Sequence, residues 1–246
     1  MAEIHIPLTP MDHTVPKAYY QGAFYLPLKS DVNPTEAFDL LHEALHRTFA
    51  HLPWLSGRVY PQARKTFGWR PGQIEIRHEP VDIKGPRPYQ FKFKQLDDSI
   101  SYEELKDSGF PIDTFKDEEL TWTPFVGDLD IDLEKGPEVF VAQANFIPEC
   151  CIITAAIFHN VSDETAFIDV LKLWSDNCSA LQRKSEQLME LPARSSDRNI
   201  LDKLCVQEDP KKVDQVDPRH GRWSASLLRM WTRGNCRKFA ERGATS

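Results

Sequence analysis

The spacing of apolar positions changes several times along the chain, and each change predicts an element. Residues 18–28 carry Tyr19, Tyr20, Phe24, Tyr25 and Leu26, an aromatic-rich run that predicts a buried strand. Asn33-Pro34 then predicts a helix start: Asn33 suits the cap, Pro34 the first turn, and Glu36 the acidic first turn. Phe38, Leu41, Leu45, Phe49 and Leu52 recur at three to four residues and mark one helical face, which Pro53 ends. Residues 55–60 suit a strand, and residues 74–78 alternate apolar and polar as a half-buried strand does. Residues 80–137 are rich in Pro, Gly and Asp and read as irregular, with a helical turn over 102–106. Two strong strands follow at 138–146 and 150–158, with Pro148-Glu149 suggesting a hairpin between them. Residues 165–181 form an amphipathic helix with Phe167, Val170, Leu171, Trp174, Cys178 and Leu181 on one face. These patterns give one α/β domain over 1–181. A charged linker over 182–217 has a short helix near 200–206, and a basic, poorly ordered tail covers 218–246.

Composition narrows the class. Hydrophobic residues are 41% and charged residues 27%, so a packed core is expected. The net charge of -7 gives no general attraction to nucleic acid or to an anionic membrane surface, and neither is expected as a partner. The start lacks a basic, then apolar, targeting pattern, and no apolar run approaches the ~20 residues of a membrane-spanning helix. A cytoplasmic location is therefore expected. The five cysteines include no Cys-x-x-Cys, which excludes a zinc ribbon or a redox motif of that kind. Cys150-Cys151 reads as the start of a core strand, and Thr66-Phe-Gly-Trp69 as a turn.

Three segments carry candidate chemistry. In His159-Asn-Val-Ser-Asp163 a histidine stands at the end of a strand, where its ring can face a cleft. An imidazole there can take a proton from an alcohol, and an Asp four residues on can cap the following helix or pair with a cation. The pattern alone is not specific, because His78-Glu-Pro-Val-Asp82 matches it too, in a Pro-broken loop with no helix after it. His42-Glu-Ala-Leu-His46 matches the helical zinc-peptidase pattern. Zinc needs a third ligand in a fixed frame, and the extended motif would want Gly and His where Phe49 and Leu52 stand, so no metal site is expected. There is no Gly-rich phosphate loop and no Gly-x-Ser-x-Gly elbow.

Taken in order, several segments resemble the BAHD superfamily of acyl-CoA-dependent acyltransferases. Leu8-Thr-Pro-Met-Asp12 is similar to that family's Leu-Ser-Pro-Leu-Asp opening, and Leu52-Pro-Trp-Leu-Ser-Gly-Arg58 to its Pro-x-x-Ala-Gly-Arg segment. Tyr102-Glu-Glu-Leu-Lys-Asp-Ser-Gly-Phe-Pro111 resembles a stretch of fungal members, trichothecene 3-O-acetyltransferase among them. Phe140-Val-Ala-Gln-Ala-Asn-Phe146 resembles the strand before the active site. His159-Asn-Val-Ser-Asp163, with Trp174 on the next helix, resembles the His-x-x-x-Asp signature in its usual place.

The resemblance implies a chloramphenicol-acetyltransferase-like α/β domain, a mixed sheet with flanking helices, without the family's second domain. It implies acyl transfer, acetyl by preference, from a CoA thioester to a hydroxyl of a small molecule in fungal secondary metabolism. Acyl-CoA would be a co-substrate, with no bound cofactor, and His159 the general base. Asp163 would be structural, turned away from the substrate. The residues contacting CoA are not identified. Family chains are roughly twice this length. This chain has no Asp-Phe-Gly-Trp-Gly motif, Glu164 stands where Gly is usual, and Glu149-Cys-Cys151 replaces Gly-Gly. A non-catalytic half, or a domain needing a protein partner that supplies the second half, is the alternative. A zinc peptidase on His42 and His46 is the remote one.

Overall fold

The computed structural model describes residues 2–66, 69–96, 100–111, 114–122 and 131–184. All of them fall in the first of two units into which the chain divides, Met1–Pro192; the second, Ala193–Ser246, lies outside the described residues. So do the short helix expected near 200–206, the basic tail, and almost all of the expected linker.

A four-stranded sheet organises the domain. Its strands are β2 (Tyr19–Pro27), β5 (Phe91–Gln95), β6 (Phe140–Ile147) and β7 (Cys150–Phe158), in the order β2-β7-β6-β5. Only the β5–β6 pair is parallel. The hairpin expected around Pro148-Glu149 joins β6 to β7, and Glu149 takes a positive φ of 58° to make the turn. A smaller antiparallel sheet has β1 (Ile4–Pro7) and β3 (Arg58–Pro61) on either side of β4 (Ile74–His78). Backbone bonds from Val59 N to Pro137 O and from Val139 N to Gly57 O join it to the head of β6. Gly57 has no room for a side chain there. A Cβ would stand 2.7 Å from the Arg77 carbonyl oxygen and 2.9 Å from Ile76.

Helix α1 (Pro34–His51) begins as expected: the Asn33 side chain accepts from Thr35 N at 2.8 Å and Pro34 occupies the first turn. It stops as expected too, with Leu52 N bonded to Thr48 O just before Pro53. Helix α4 (Glu164–Gln182) packs beside α1. Its Trp174 indole donates to Leu41 O, and its Asn177 amide to Thr48 Oγ1. Both helices share a core with alternate residues of β7, namely Cys151, Ile153, Ala155 and Ile157. The opposite face of the sheet, through Cys150 and Ile152, packs with Leu105 of α2 (Tyr102–Asp107) and with Phe110, Phe115 and Leu120. Along that face the cover is polar: Gln143 donates to Glu119 O, Asn145 to Leu120 O, and the Thr154 hydroxyl also bonds Leu120 O.

Two expectations need correction, and a third needs widening. The strand expected over 55–60 is a 3-10 turn over Pro53–Ser56 followed by β3, because Pro53 starts a tight turn that carries Leu55 into the core. The region read as irregular contains β5 and a four-residue helix α3 (Asp117–Leu120). The expected face of α4 does pack on the core, Leu171, Cys178 and Leu181 being partly buried, but the buried stripe is wider and also takes in Leu173, Asn177 and Ala180.

Candidate active site

β7 delivers His159. The strand's last residue, Phe158, is fixed from both sides: its N–H bonds Val139 O, and its ring meets Tyr19 edge-on at 5.5 Å. The next residue, His159, donates its backbone N–H to Ala18 O at 2.8 Å, just before β2 begins. Val161 N then returns to Phe158 O, which closes a turn. Asp163 caps α4, its carboxylate accepting from Ala166 N at 2.8 Å. The five-residue motif is thus a strand end, a turn and a helix cap in sequence. His159 is left half-buried, while Asn160, Val161 and Ser162 are buried.

The ring of His159 has a definable tautomer. Its Nδ1 lies 3.4 Å from Ser162 O, a long bond. A carbonyl can only accept, so in the neutral ring Nδ1 carries the hydrogen and Nε2 the lone pair. That is the arrangement a general base needs. Tyr20 flanks the ring at 6.3 Å and itself stands edge-on to Phe167 at 5.4 Å. Burial raises the Tyr20 hydroxyl above its ordinary range, and so does its hydrogen bond to the Glu164 carboxylate.

Asp163 makes no ion pair among the described residues, and its side chain serves the helix end. The second His-x-x-x-Asp match is not brought into this site. His78 is buried at the end of β4 with Nδ1 bonded to Glu79 O, and Asp82 holds a turn through Lys84 N. The zinc pattern gains no third ligand: among the described residues no group of three or more His, Cys, Asp or Glu side chains could hold a metal. His42 Nε2 donates to Pro88 O at 2.7 Å, and burial lowers its imidazole below the ordinary range. A cavity of about 310 Å³ lies at the other end of β7, bounded by Leu28, Lys29, Val32, Pro34, Ile147 and Glu149. Nine residues of strand, roughly 30 Å, separate its wall from His159. It is no part of this site.

A model of the trichothecene 3-O-acetyltransferase-like N-terminal domain matches residues 18–178. The chain belongs to that family. The match spans α1, most of α4, the whole four-stranded sheet and the turn at His159. Acyltransferase BOA11 of Botryotinia fuckeliana (strain B05.10) is 30% identical over 180 residues, which are 70% of this chain and 35% of the relative. O-acetyltransferase ptmV of Penicillium ochrochloron is 27% identical over 177 residues, 70% of this chain and 32% of the relative. The chain therefore spans about a third of the length of these two relatives. Among solved structures, TRI101 of F. sporotrichioides complexed with coenzyme A and T-2 superposes with a TM-score of 0.60 at 22% identity, over 78% of this chain and 41% of that one. The fold is that of the N-terminal part of these acetyltransferases, and the chloramphenicol-acetyltransferase-like domain expected from the motifs is the one found.

The candidates His159 and Asp163 are singled out by the sequence, and the structure places them on one turn. Tyr20, Ala18 and the turn around Asp12 were not connected to them by the sequence. Their placement depends on the antiparallel β2–β7 register, in which Tyr19 stands opposite Phe158, and no local pattern reports it.

Proposed function

We propose that the chain transfers an acyl group, acetyl by preference, from acyl-CoA to a hydroxyl of a small molecule in fungal secondary metabolism. The observation that carries the reading is His159: a half-buried imidazole at the end of β7, with Nδ1 engaged and Nε2 without a partner among the described residues, inside a domain of the trichothecene 3-O-acetyltransferase-like family. In the reaction, Nε2 takes the acceptor's hydroxyl proton as the oxygen attacks the thioester carbonyl carbon. The carbon–sulfur bond then breaks, and the CoA thiolate leaves and recovers that proton from the imidazolium. The products are an ester and free CoA. Asp163 holds the helix end that frames the turn. The TRI101 structures, solved with CoA and with T-2 or deoxynivalenol, support a CoA thioester and a hydroxylated small molecule as the two substrates. Release of free thiol from acetyl-CoA, dependent on a hydroxylated acceptor, tests the reading. No release with any trichothecene-like alcohol, together with no CoA binding by calorimetry, would overturn it.

One observation favours a second reading. The match covers about a third of each of the two relatives; in this reading, groups that contact CoA lie outside the matched domain and a protein partner supplies them. Acetyl-CoA-dependent activity that appears only on adding such a partner would select this reading over the first.

A further inference from the structure

The candidate base is held by a segment far from it in sequence, and one side chain makes the connection. Asn160, next to His159, is 2% exposed. Its Nδ2 donates to two backbone carbonyls of the opening turn, Asp12 O at 2.7 Å and Val15 O at 3.1 Å. Both partners are acceptors, so the amide orientation is fixed. The same amide's Oδ1 is buried with no hydrogen-bond partner among the described residues. The orphaned acceptor offsets part of the stability that the two donated bonds supply, so the side chain's clearest effect is to tie the two turns together.

The turn that Asn160 grips is itself rigid. Thr9 donates to the Asp12 carboxylate from both its N–H, at 2.7 Å, and its hydroxyl, at 3.0 Å. His13 bridges the turn to the small sheet. Its Nδ1 lies 2.7 Å from Thr9 O, and its Nε2 lies 3.0 Å from Ile74 N. A carbonyl only accepts and an amide N–H only donates, so His13 is the Nδ1–H tautomer with both ring nitrogens engaged. From His13 the chain of contacts runs to Asp12 and Val15, then to Asn160, and so to the turn carrying His159 and Ser162.

We propose that Asn160 is a positioning residue for His159, anchored on a Thr9–Val15 turn that His13 latches to β4. The proposal rests on the reading of His159 as the base. Without the Asn160 clamp the 159–163 turn relaxes, and Ser162 O no longer selects the Nδ1–H tautomer of His159. Substrate binding does not require the clamp, so the loss falls on the chemical step.

The test compares wild type with N160A and N160D, using kinetics and 15N NMR of the histidine side chains in the full chain. N160D keeps the size of the side chain but sets a carboxylate against two carbonyls. In the wild type, His159 shows a protonated Nδ1 and an unprotonated Nε2. In both variants the expected result is a mixture of tautomers at His159, with kcat at least tenfold lower and KM for acetyl-CoA within twofold. H13Q, which frees the latch without touching Asn160, weakens the His159 signature in the same direction and serves if an Asn160 variant fails to fold. An unchanged His159 tautomer in folded N160A or in H13Q overturns the proposal, whether or not the chain turns over. If H159A is as active as wild type, the reading of the base fails instead, and the two failures are told apart.

Discussion

At the level of single residues, the proposal divides the motif between a base at His159 and a structural carboxylate at Asp163. Asp163 accepts from Ala166 N and caps α4. D163A should therefore cost about 1 kcal/mol of stability, the usual worth of an N-cap, seen as a lower Tm. Residual activity should remain, in contrast to H159A. The cysteines are structural by the same reasoning. Burial pushes the Cys151 and Cys178 thiols up to about 12 and Cys150 up to about 11. These three should resist iodoacetamide at pH 8 in the native protein and react once it is denatured, as mass spectrometry would record. At this scale the sequence singles out His159 and Asp163 as candidates, and the structure places them at a strand end and a helix cap. The sequence did not show Asn160 as a link to the opening turn, because the partners are backbone carbonyls at Asp12 and Val15, which carry no residue signature.

The elements were legible where their signals are local. The Asn33 cap, the Pro34 start and the Pro53 stop bound α1 as read, since each acts through its nearest turn. β5 was missed although Phe91-Lys-Phe-Lys94 alternates, because Pro86 and Pro88 precede it and its parallel partner β6 lies far along the chain. The tight joint between the sheets was also hidden. It rests on Gly57, where an added Cβ would meet the Arg77 carbonyl at 2.7 Å. G57A should lower Tm clearly, by an amount typical of overpacking, about 1–3 kcal/mol. A backbone oxygen cannot swing aside as a flexible side chain would.

For the whole molecule, alkaline pH offers a separate check on the core. The three thiols are held protonated in the fold well above an ordinary thiol's range near 8.5. The folded state therefore binds more protons than the unfolded chain above about pH 9. Stability from this source is complete below that pH and is lost as pH rises toward 12. A Tm that falls over this window, and falls less in a C151S variant, would bear this out. The ordered series of motifs, more than any one of them, made the family legible at this scale, since a second His-x-x-x-Asp lies in the same chain at His78. The family places the fold, and the proposed chemistry rests on His159 Nε2, which has no partner among the described residues. The most direct measurement is acceptor-dependent release of CoA thiol from acetyl-CoA by the wild-type chain and by H159A, side by side at equal folded concentration. The account predicts steady release by the wild type and none above background by H159A; equal rates in the two would contradict it.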